Sequence, residues 1–359
     1  MHTPGHTLES SCFLLIEKGE KDREVAVFTG DTLFIGDAGR PDLAVDSTHT
    51  SKDLAELLFD SLQKLKKLES DCVIFPGHGA GSPCGKNIQA GSYSTVEIQL
   101  KTNYCLSNDM KKEDFVEIAT SNIPKPPEYF FHDAMMNRKE LGHYEDLLKV
   151  SLKEIEADEF EKLGNDKSIN VIDSRSLKFV YETGTVKGAV TVPLETQYAI
   201  FSATIFNPKN KTIVICEEGK EKDSISRLLR VGFDNILGYL KGGINSWISK
   251  QKPISSYQLL EKSKAKEVVE SGAYTLDIRN KGEHLCPGHF KTSQLIPLPD
   301  LEKQMDKVSR TDKIYLICKS GVRAAIAASL LRRNDFNNTL VVLEGGMTNL
   351  IEMGLPVEK

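Results

Sequence analysis

The chain has 359 residues, 40% of them hydrophobic and 27% charged, enough to bury the cores of two or three domains of ordinary size. Its formal net charge of −5 is spread without long acidic or basic blocks, which excludes the electrostatic footprint of a nucleic-acid or anionic-membrane binder. No apolar run approaches the roughly 18 residues of a membrane span, and the seven cysteines form neither CxxC pairs nor dense extracellular spacings, so a cytoplasmic protein with free thiols is expected.

The chain opens with "MHTPGHTLESS", which sets His6 in a Pro-Gly turn. Strands are predicted over 12–17, 24–29 and 72–75, and between the last two a single helix over 51–68. That helix carries Leu54, Leu57, Leu58, Leu62, Leu65 and Leu68 at three- and four-residue intervals, an apolar stripe that a sheet must cover. Residues 85 to about 150 read as mostly helical, interrupted by "IPKPPE" at 123–128, whose prolines set a loop.

The remainder repeats itself. "NVIDSRSLKFVYETGTVKGAVTVPLE" (170–195) aligns without gaps on "YTLDIRNKGEHLCPGHFKTSQLIPLP" (274–299), matching Asp173 to Asp277 and Arg175 to Arg279. "TIVICEEGKEKDSISRLLRVGF" then pairs with "IYLICKSGVRAAIAASLLRRNDF", and "YLKGGINSW" with "VLEGGMTNL". Each copy is about a hundred residues, a whole domain rather than a solenoid unit. Short β-branched runs alternate with helical stretches in both, which argues for a parallel sheet covered by helices on each face. The domains are therefore placed at 1–150, 151–253 and 254–359, the second boundary falling near "KQKPISS".

Three turns in the first part fall in order around a potential metal ligand: "TPGHT" (3–7), "FTGDTLFIGDAGRPDL" (28–43) and "FPGHG" (75–79), with His6, Asp31 and His78. Asp31 and His78 directly follow apolar strands, where a rigid sheet can aim several ligands at one point. At these residues the chain resembles the metallo-β-lactamase superfamily, and "GDTLFIGDAGRPDL" is similar to its persulfide dioxygenase branch, especially to bacterial proteins that fuse such a domain to rhodanese domains. The resemblance implies an α/β fold: a partial metallo-β-lactamase domain of the αβ/βα sandwich kind, followed by two rhodanese-like parallel-sheet domains.

It also implies one Fe(II) per intact dioxygenase domain, held by two histidines and an aspartate, with His6 and Asp31 at the matching positions. The remaining histidine belongs to an H-x-H-x-D-H motif that comes before T-P-G-H-T in the family and does not occur here. The resemblance thus implies an absent upstream portion, weak or absent metal on this chain, and an uncovered apolar face that makes residues 1–150 the more prone to aggregation and proteolysis. His78 is implied as a second-shell or vestigial residue. Arg40, followed by Asp42, is implied to support the site and to meet the carboxylates of a glutathione-like persulfide, for which an arginine fork is suited. His2, His49, His132 and His143 have no such context; Cys105 reads either as a neighbour of the metal pocket or as a buried small hydrophobe.

"CKSGVR" (318–323) follows a strand and opens a helix, so Cys318 sits where backbone N–H groups and a helix N-terminus converge and stabilise an anion. Lys319 and Arg323 favour a thiolate there. Strand, Cys-x-x-Gly-x-Arg and helix, with the upstream "DIR" and "EGG", resemble an active rhodanese domain, in which Cys318 would be the nucleophile, Arg323 a catalytic cation, and Lys319, Ser320, Gly321 and Val322 the substrate cradle. The first copy reads "CEEGKE": its loop carries −2 where the second carries +2, so Cys216 is expected to stay protonated in a degenerate domain that packs between its neighbours. Cys286 in "HLCPGH" is expected to be a packing residue.

Taken together, the resemblance implies persulfide detoxification: Fe(II)-dependent oxidation of a low-molecular-weight persulfide to sulfite, a step expected to be lost in this chain, coupled to sulfur transfer through Cys318 giving thiosulfate, which is expected to survive. Persulfides, sulfite and thiosulfate are the implied partners, with no nucleic acid and no membrane, and a homo-oligomer left open. A glyoxalase II-type zinc thioester hydrolase fused to a rhodanese, or a non-catalytic sulfur carrier, are the alternatives.

Overall fold

The structure is a computed structural model that describes residues 1–45, 48–82, 84–121, 123 and 143–358. The proline loop expected at 123–128, apart from residue 123, and His132 lie outside the described residues. The chain divides into two compact units, Met1–Phe131 and His132–Lys359.

In the first unit four strands form one sheet in the order Phe13–Glu17, Arg23–Gly30, Val73–Pro76 and Ser94–Thr95. The middle two are parallel and each outer pair is antiparallel. The crossover between the parallel strands includes the helix Ser51–Leu65. It starts there because Thr50 and Asp53 form a reciprocal cap: the Asp53 N–H donates to the Thr50 hydroxyl at 3.3 Å and the Thr50 N–H donates to the Asp53 carboxylate at 2.8 Å. Leu54 is buried, Leu58, Leu62 and Leu65 share one core with Val27, Ile74 and Phe115, and Leu68 reaches the same core from the turn past the helix end. Leu57 is only half-buried, at the border of the stripe.

Side chains alternate across a strand, so pointing Val27 and Ile74 at the helix turns Phe28 and Phe75 to the other face. There they stack with ring centroids 5.3 Å apart, and Phe13 pairs opposite Phe28. Phe13 is 74% exposed, Phe28 49% and Tyr93 67%, so this side of the sheet is an aromatic surface open to solvent. The expectation of an uncovered apolar face is met by these residues.

The second unit holds two five-stranded sheets, all parallel. The first runs Glu154–Ile155, Ile236–Leu240, Thr212–Ile215, Asn170–Asp173, Val190–Thr191; the second runs Gln258–Leu260, Leu340–Leu343, Ile314–Ile317, Thr275–Asp277, Ser293–Leu295. The two orders are the same, as a repeat of whole domains requires. Thr212–Ile215 and Leu340–Leu343 are buried at every position, the pattern of strands covered on both faces. The helix Tyr144–Ser151, read from sequence with the first part, packs in this unit on Glu221–Leu229 and Ile236–Leu240.

The copies are joined by polar contacts that are buried or partly buried. The Thr191 N–H donates to the Ser329 hydroxyl at 2.9 Å, and Arg333 donates to the carbonyls of Gly188 at 2.7 Å and Ile169 at 2.8 Å. No helix among the described residues is long and apolar enough to cross a membrane.

Candidate functional sites

The sheet register of the first unit assembles its site. Gly30 pairs with Pro76, and the Gly77 N–H donates to the Gly30 carbonyl at 2.8 Å, so the residues just beyond these two parallel strand ends, Asp31 and His78, meet. Nε2 of His78 lies 3.2 Å from Oδ1 of Asp31. The T-P-G-H-T turn is tied alongside by Thr3, whose hydroxyl is 3.0 Å from that of Thr32, which brings Nε2 of His6 to 3.8 Å from the same Oδ1. His6 donates from Nδ1 to the Arg40 carbonyl at 2.9 Å, which fixes its tautomer and leaves the Nε2 lone pair facing Asp31. Burial lowers the His6 pKa against the opposing pull of Asp31, so the ring is neutral at pH 7, the form that ligates metals.

Gly39 explains its place in "GDAGR": a Cβ there would stand 1.9 Å from the Asp31 carbonyl oxygen and 3.1 Å from Nδ1 of His6. Arg40 is buried, its Nε and Nη2 forked onto Asp42 at 2.9 and 2.7 Å. So placed it shapes the loop that holds His6. Cys105 is buried in the core of the unit, and its thiol is pushed up by burial, which fits the packing reading.

A residue that the sequence reading did not single out joins the site. One donor atom each of Asp31, His78 and Cys84 lie within 4.8 Å of one another. Oδ1 of Asp31 is sealed from solvent and has no hydrogen-bond partner. An orphaned carboxylate oxygen beside a histidine nitrogen and a thiol fits a divalent metal, and among the described residues this is where such donors gather.

In the second unit, Cys318 directly follows the strand Ile314–Ile317 and Gly321 caps the helix Val322–Arg333. The Gly321 N–H donates to Sγ of Cys318 at 3.1 Å, as expected of an anion cradle. The "EGG" element closes on this loop: the Met347 N–H donates to the Cys318 carbonyl at 2.7 Å, and a Cβ on Gly346 would stand 2.4 Å from that oxygen. Lys319 and Ser320 are exposed on the loop, Gly321 is buried, and Val322 is half-buried. Arg323 is not a free cation. Its two Nη atoms each donate at 2.7 Å to the carboxylate of Glu283, a residue the charge count over the loop left out.

A cavity of about 370 Å³ adjoins the loop, walled by Arg279, Glu283, Cys286, Lys319, Met347 and Thr348. Cys286 is exposed there, which corrects its reading as a packing residue: the turn that carries it lies on the cavity wall rather than in the core. Tyr181, from the first copy, lies within electrostatic reach of Cys318 and Glu344, and burial pushes its hydroxyl up.

The first copy holds the larger cavity, about 620 Å³, with Cys216, Glu217, Glu218, Glu221 and Tyr239 among its walls. Burial, then Glu221, Asp173 and Glu217, push the Cys216 thiol up to about 12. It is protonated at pH 7. The D-x-R elements are structural in both copies: Arg175 forks onto Asp173 and Arg279 onto Asp277, each with Nη2 at 2.6 Å and all four residues buried.

The family description "Rhodanese-like domain" matches residues 156–250 and 256–352, more than half of the chain. The chain belongs to the rhodanese-like family. Of solved structures, a metallo-beta-lactamase from Staphylococcus aureus is similar at 28% identity and a TM-score of 0.54, covering 67% of this chain and 65% of that one. An uncharacterized protein of Mycobacterium tuberculosis is 42% identical over 84 residues, 23% of this chain and 34% of that one. A hydroxyacylglutathione hydrolase of Pseudoalteromonas translucida is 36% identical over 76 residues, 21% of this chain and 23% of its own. The chain thus spans about a third or less of the length of these two curated relatives. With the two rhodanese-like domains, these likenesses make the chain a fusion of a metallo-β-lactamase-fold portion with a rhodanese pair.

Proposed function

We propose that this rhodanese-family chain moves sulfane sulfur through a persulfide on Cys318. The supporting observation is the loop geometry: Sγ accepts the Gly321 N–H at the start of a helix, while the equivalent thiol of the first copy is held protonated by burial and carboxylates. The Cys318 thiolate attacks the outer sulfur of thiosulfate; a Cys–S–S bond forms, the S–S bond of thiosulfate breaks, and its electron pair leaves with sulfite. Run backwards, with the persulfide charged by another donor, sulfite is converted to thiosulfate. Incubation with thiosulfate followed by intact-mass measurement tests this. The expected gain is one sulfur atom, lost on adding cyanide or sulfite; no gain, or one that persists in C318S, overturns it.

The reading extends to the first unit as a persulfide dioxygenase, with His6 and Asp31 as ligands of Fe(II), which when bound supplies the centre for oxidising a small persulfide to sulfite. His6 serves by offering Nε2 while the Arg40 carbonyl holds Nδ1–H. Persulfide-dependent oxygen uptake that falls in H6A and D31N supports this extension; uptake unchanged in both counts against it. His78 at 3.2 Å from Asp31 favours, as a second reading, a zinc-dependent thioester hydrolase of the glyoxalase II type, which release of free thiol from S-lactoylglutathione would show.

A further inference from the structure

The cavity of the first rhodanese copy has the opposite character to the loop of the second. Its wall includes Glu217, Glu218 and Glu221, from the loop and helix start after the strand Thr212–Ile215, and Glu154 from the edge strand of the same sheet. Among the described residues none of the first three carboxylates has an ion-pair partner. The guanidinium in the wall, Arg175, is already forked onto Asp173, and Lys220 of the loop lines a different recess.

The anion cradle found at Cys318 is filled here from within. The Gly321 N–H of the second copy donates to a sulfur, but the matching Gly219 N–H donates to the Glu221 carboxylate at 3.1 Å. The Ser176 N–H likewise donates to Glu217 at 2.9 Å. Backbone donors are thus satisfied by the loop's own carboxylates, whose remaining lone pairs are acceptors for a ligand.

A second feature, independent of charge, marks the cavity as a site. Cys216 lies in its wall only 4% exposed, and its thiol has no hydrogen-bond partner among the described residues. Sulfur is a weak acceptor, so an ammonium N–H would satisfy it. The volume of about 620 Å³ is that of a small-molecule site, and Phe179, Tyr239 and Ile244 supply aromatic and apolar wall. The rim already takes one alkylammonium: Nζ of Lys241 stands 3.4 Å from Glu154 and 2.9 Å from Glu156.

The geometry points to a binding site in the first rhodanese copy for an organic polycation, a linear alkylamine whose ammonium groups are separated by methylene runs. Carboxylates on separate elements beside an apolar wall match charges spaced along an aliphatic chain better than a single ion. Among the described residues metal-type donors gather in the first unit and not here. The copy whose thiol is held protonated would then bind cations, while its twin handles sulfur anions.

The test is calorimetric titration of the full chain with spermidine at low salt. One spermidine per chain is expected. E217Q with E221Q, which keeps both acceptor positions for Ser176 and Gly219, should weaken binding about tenfold, the product of roughly threefold for each partly exposed ion pair lost. E113Q with D114N makes the same change in net charge on an exposed helix of the first unit and should leave binding unchanged. E221R, which restores the residue type of the second copy, should abolish it, with circular dichroism confirming that each variant is folded. C318S should bind like the parent, so the outcome is separate from that of sulfur loading. No binding, equal weakening by the two neutralised pairs, or equal competition from magnesium at matched ionic strength overturns the inference, the last two because they mean diffuse attraction to an acidic protein.

Discussion

Arg323 turns both arms of its guanidinium onto Glu283, at 2.7 Å to each carboxylate oxygen, so the cation of the active loop is half neutralised by a residue forty positions upstream. Removing that single negative charge while keeping the side-chain shape should strengthen the loop's field for an anionic donor. One charge acting across partly screened space is worth roughly 0.5 to 1 kcal/mol, so E283Q is expected to load Cys318 from thiosulfate about two- to fivefold faster at low salt. The gain should fade as ionic strength rises, and R323Q should load more slowly. Burial pushes the Glu283 carboxyl up but Arg323 outweighs it, so its pKa is lowered on folding. Its contribution to stability is therefore complete above the ordinary carboxylate range and lost as pH falls through the lowered value, an acid dependence that E283Q should flatten in pH-resolved melting. A rate unchanged by E283Q at every salt concentration would remove Glu283 from the account.

The two loop cysteines should separate cleanly. With its thiol pushed up to about 12, Cys216 is neutral through the physiological range and should resist iodoacetamide at pH 7 to 8, while C216S loads sulfur like the parent. Reversing the loop charges with E217K and E221R removes two of the causes that raise it but leaves burial, the largest, in place. The double variant should therefore make Cys216 easier to alkylate at alkaline pH without giving it sulfur-loading activity. Robust loading of Cys216 in that variant would mean that charge, not burial, decides.

Much of this was legible in the sequence because it rests on local pattern. The repeat foretold two sheets of one strand order, and the ordered turns at His6, Asp31 and His78 foretold that three strand and loop ends meet. What stayed hidden depends on distant partners. Cys84 lies in a loop without periodicity, and only the bond from Arg40 to its carbonyl shows that it returns to Asp31. Glu283 sits on a short helix whose approach to Arg323 is set by the fold of the sheet, so a charge count within the loop could not include it. The size of the cavity at Cys216 was equally invisible, because a loop's charges say nothing of the space above it.

The aromatic face of the first unit should govern its behaviour in solution. Phe28 and Phe75 stack on the open side of the sheet, 49% and 37% exposed, so F28S with F75S removes apolar surface without opening the core. The pair should lower binding of a hydrophobic dye and raise the soluble fraction. Leu58, on the helix that covers the opposite side, is fully buried, and L58A should cost about 2 to 5 kcal/mol and speed proteolysis within residues 1–131. If the serine pair unfolds the unit as L58A does, the open face is carrying core packing after all.

Asp277 and Arg279 make the last prediction, because their pair joins stability to chemistry in one copy and not in the other. Both are buried, and Arg279 also donates to the carbonyls of Glu283 at 2.7 Å and Gly288 at 2.9 Å, holding the turn that brings Glu283 to Arg323. D277N leaves a buried guanidinium without its counter-charge and should cost about 3 to 5 kcal/mol, seen as a lowered melting temperature, together with slower loading of Cys318. Removing both charges with D277N and R279M should restore part of the stability but not the loading rate, since the turn is still released. D173N breaks the twin pair, where Arg175 holds Thr183 and Gly184, and should cost similar stability while folded protein loads sulfur at the parent rate. Equal loading by folded D277N and folded D173N would show that the turn at 280–288 does not position the active loop.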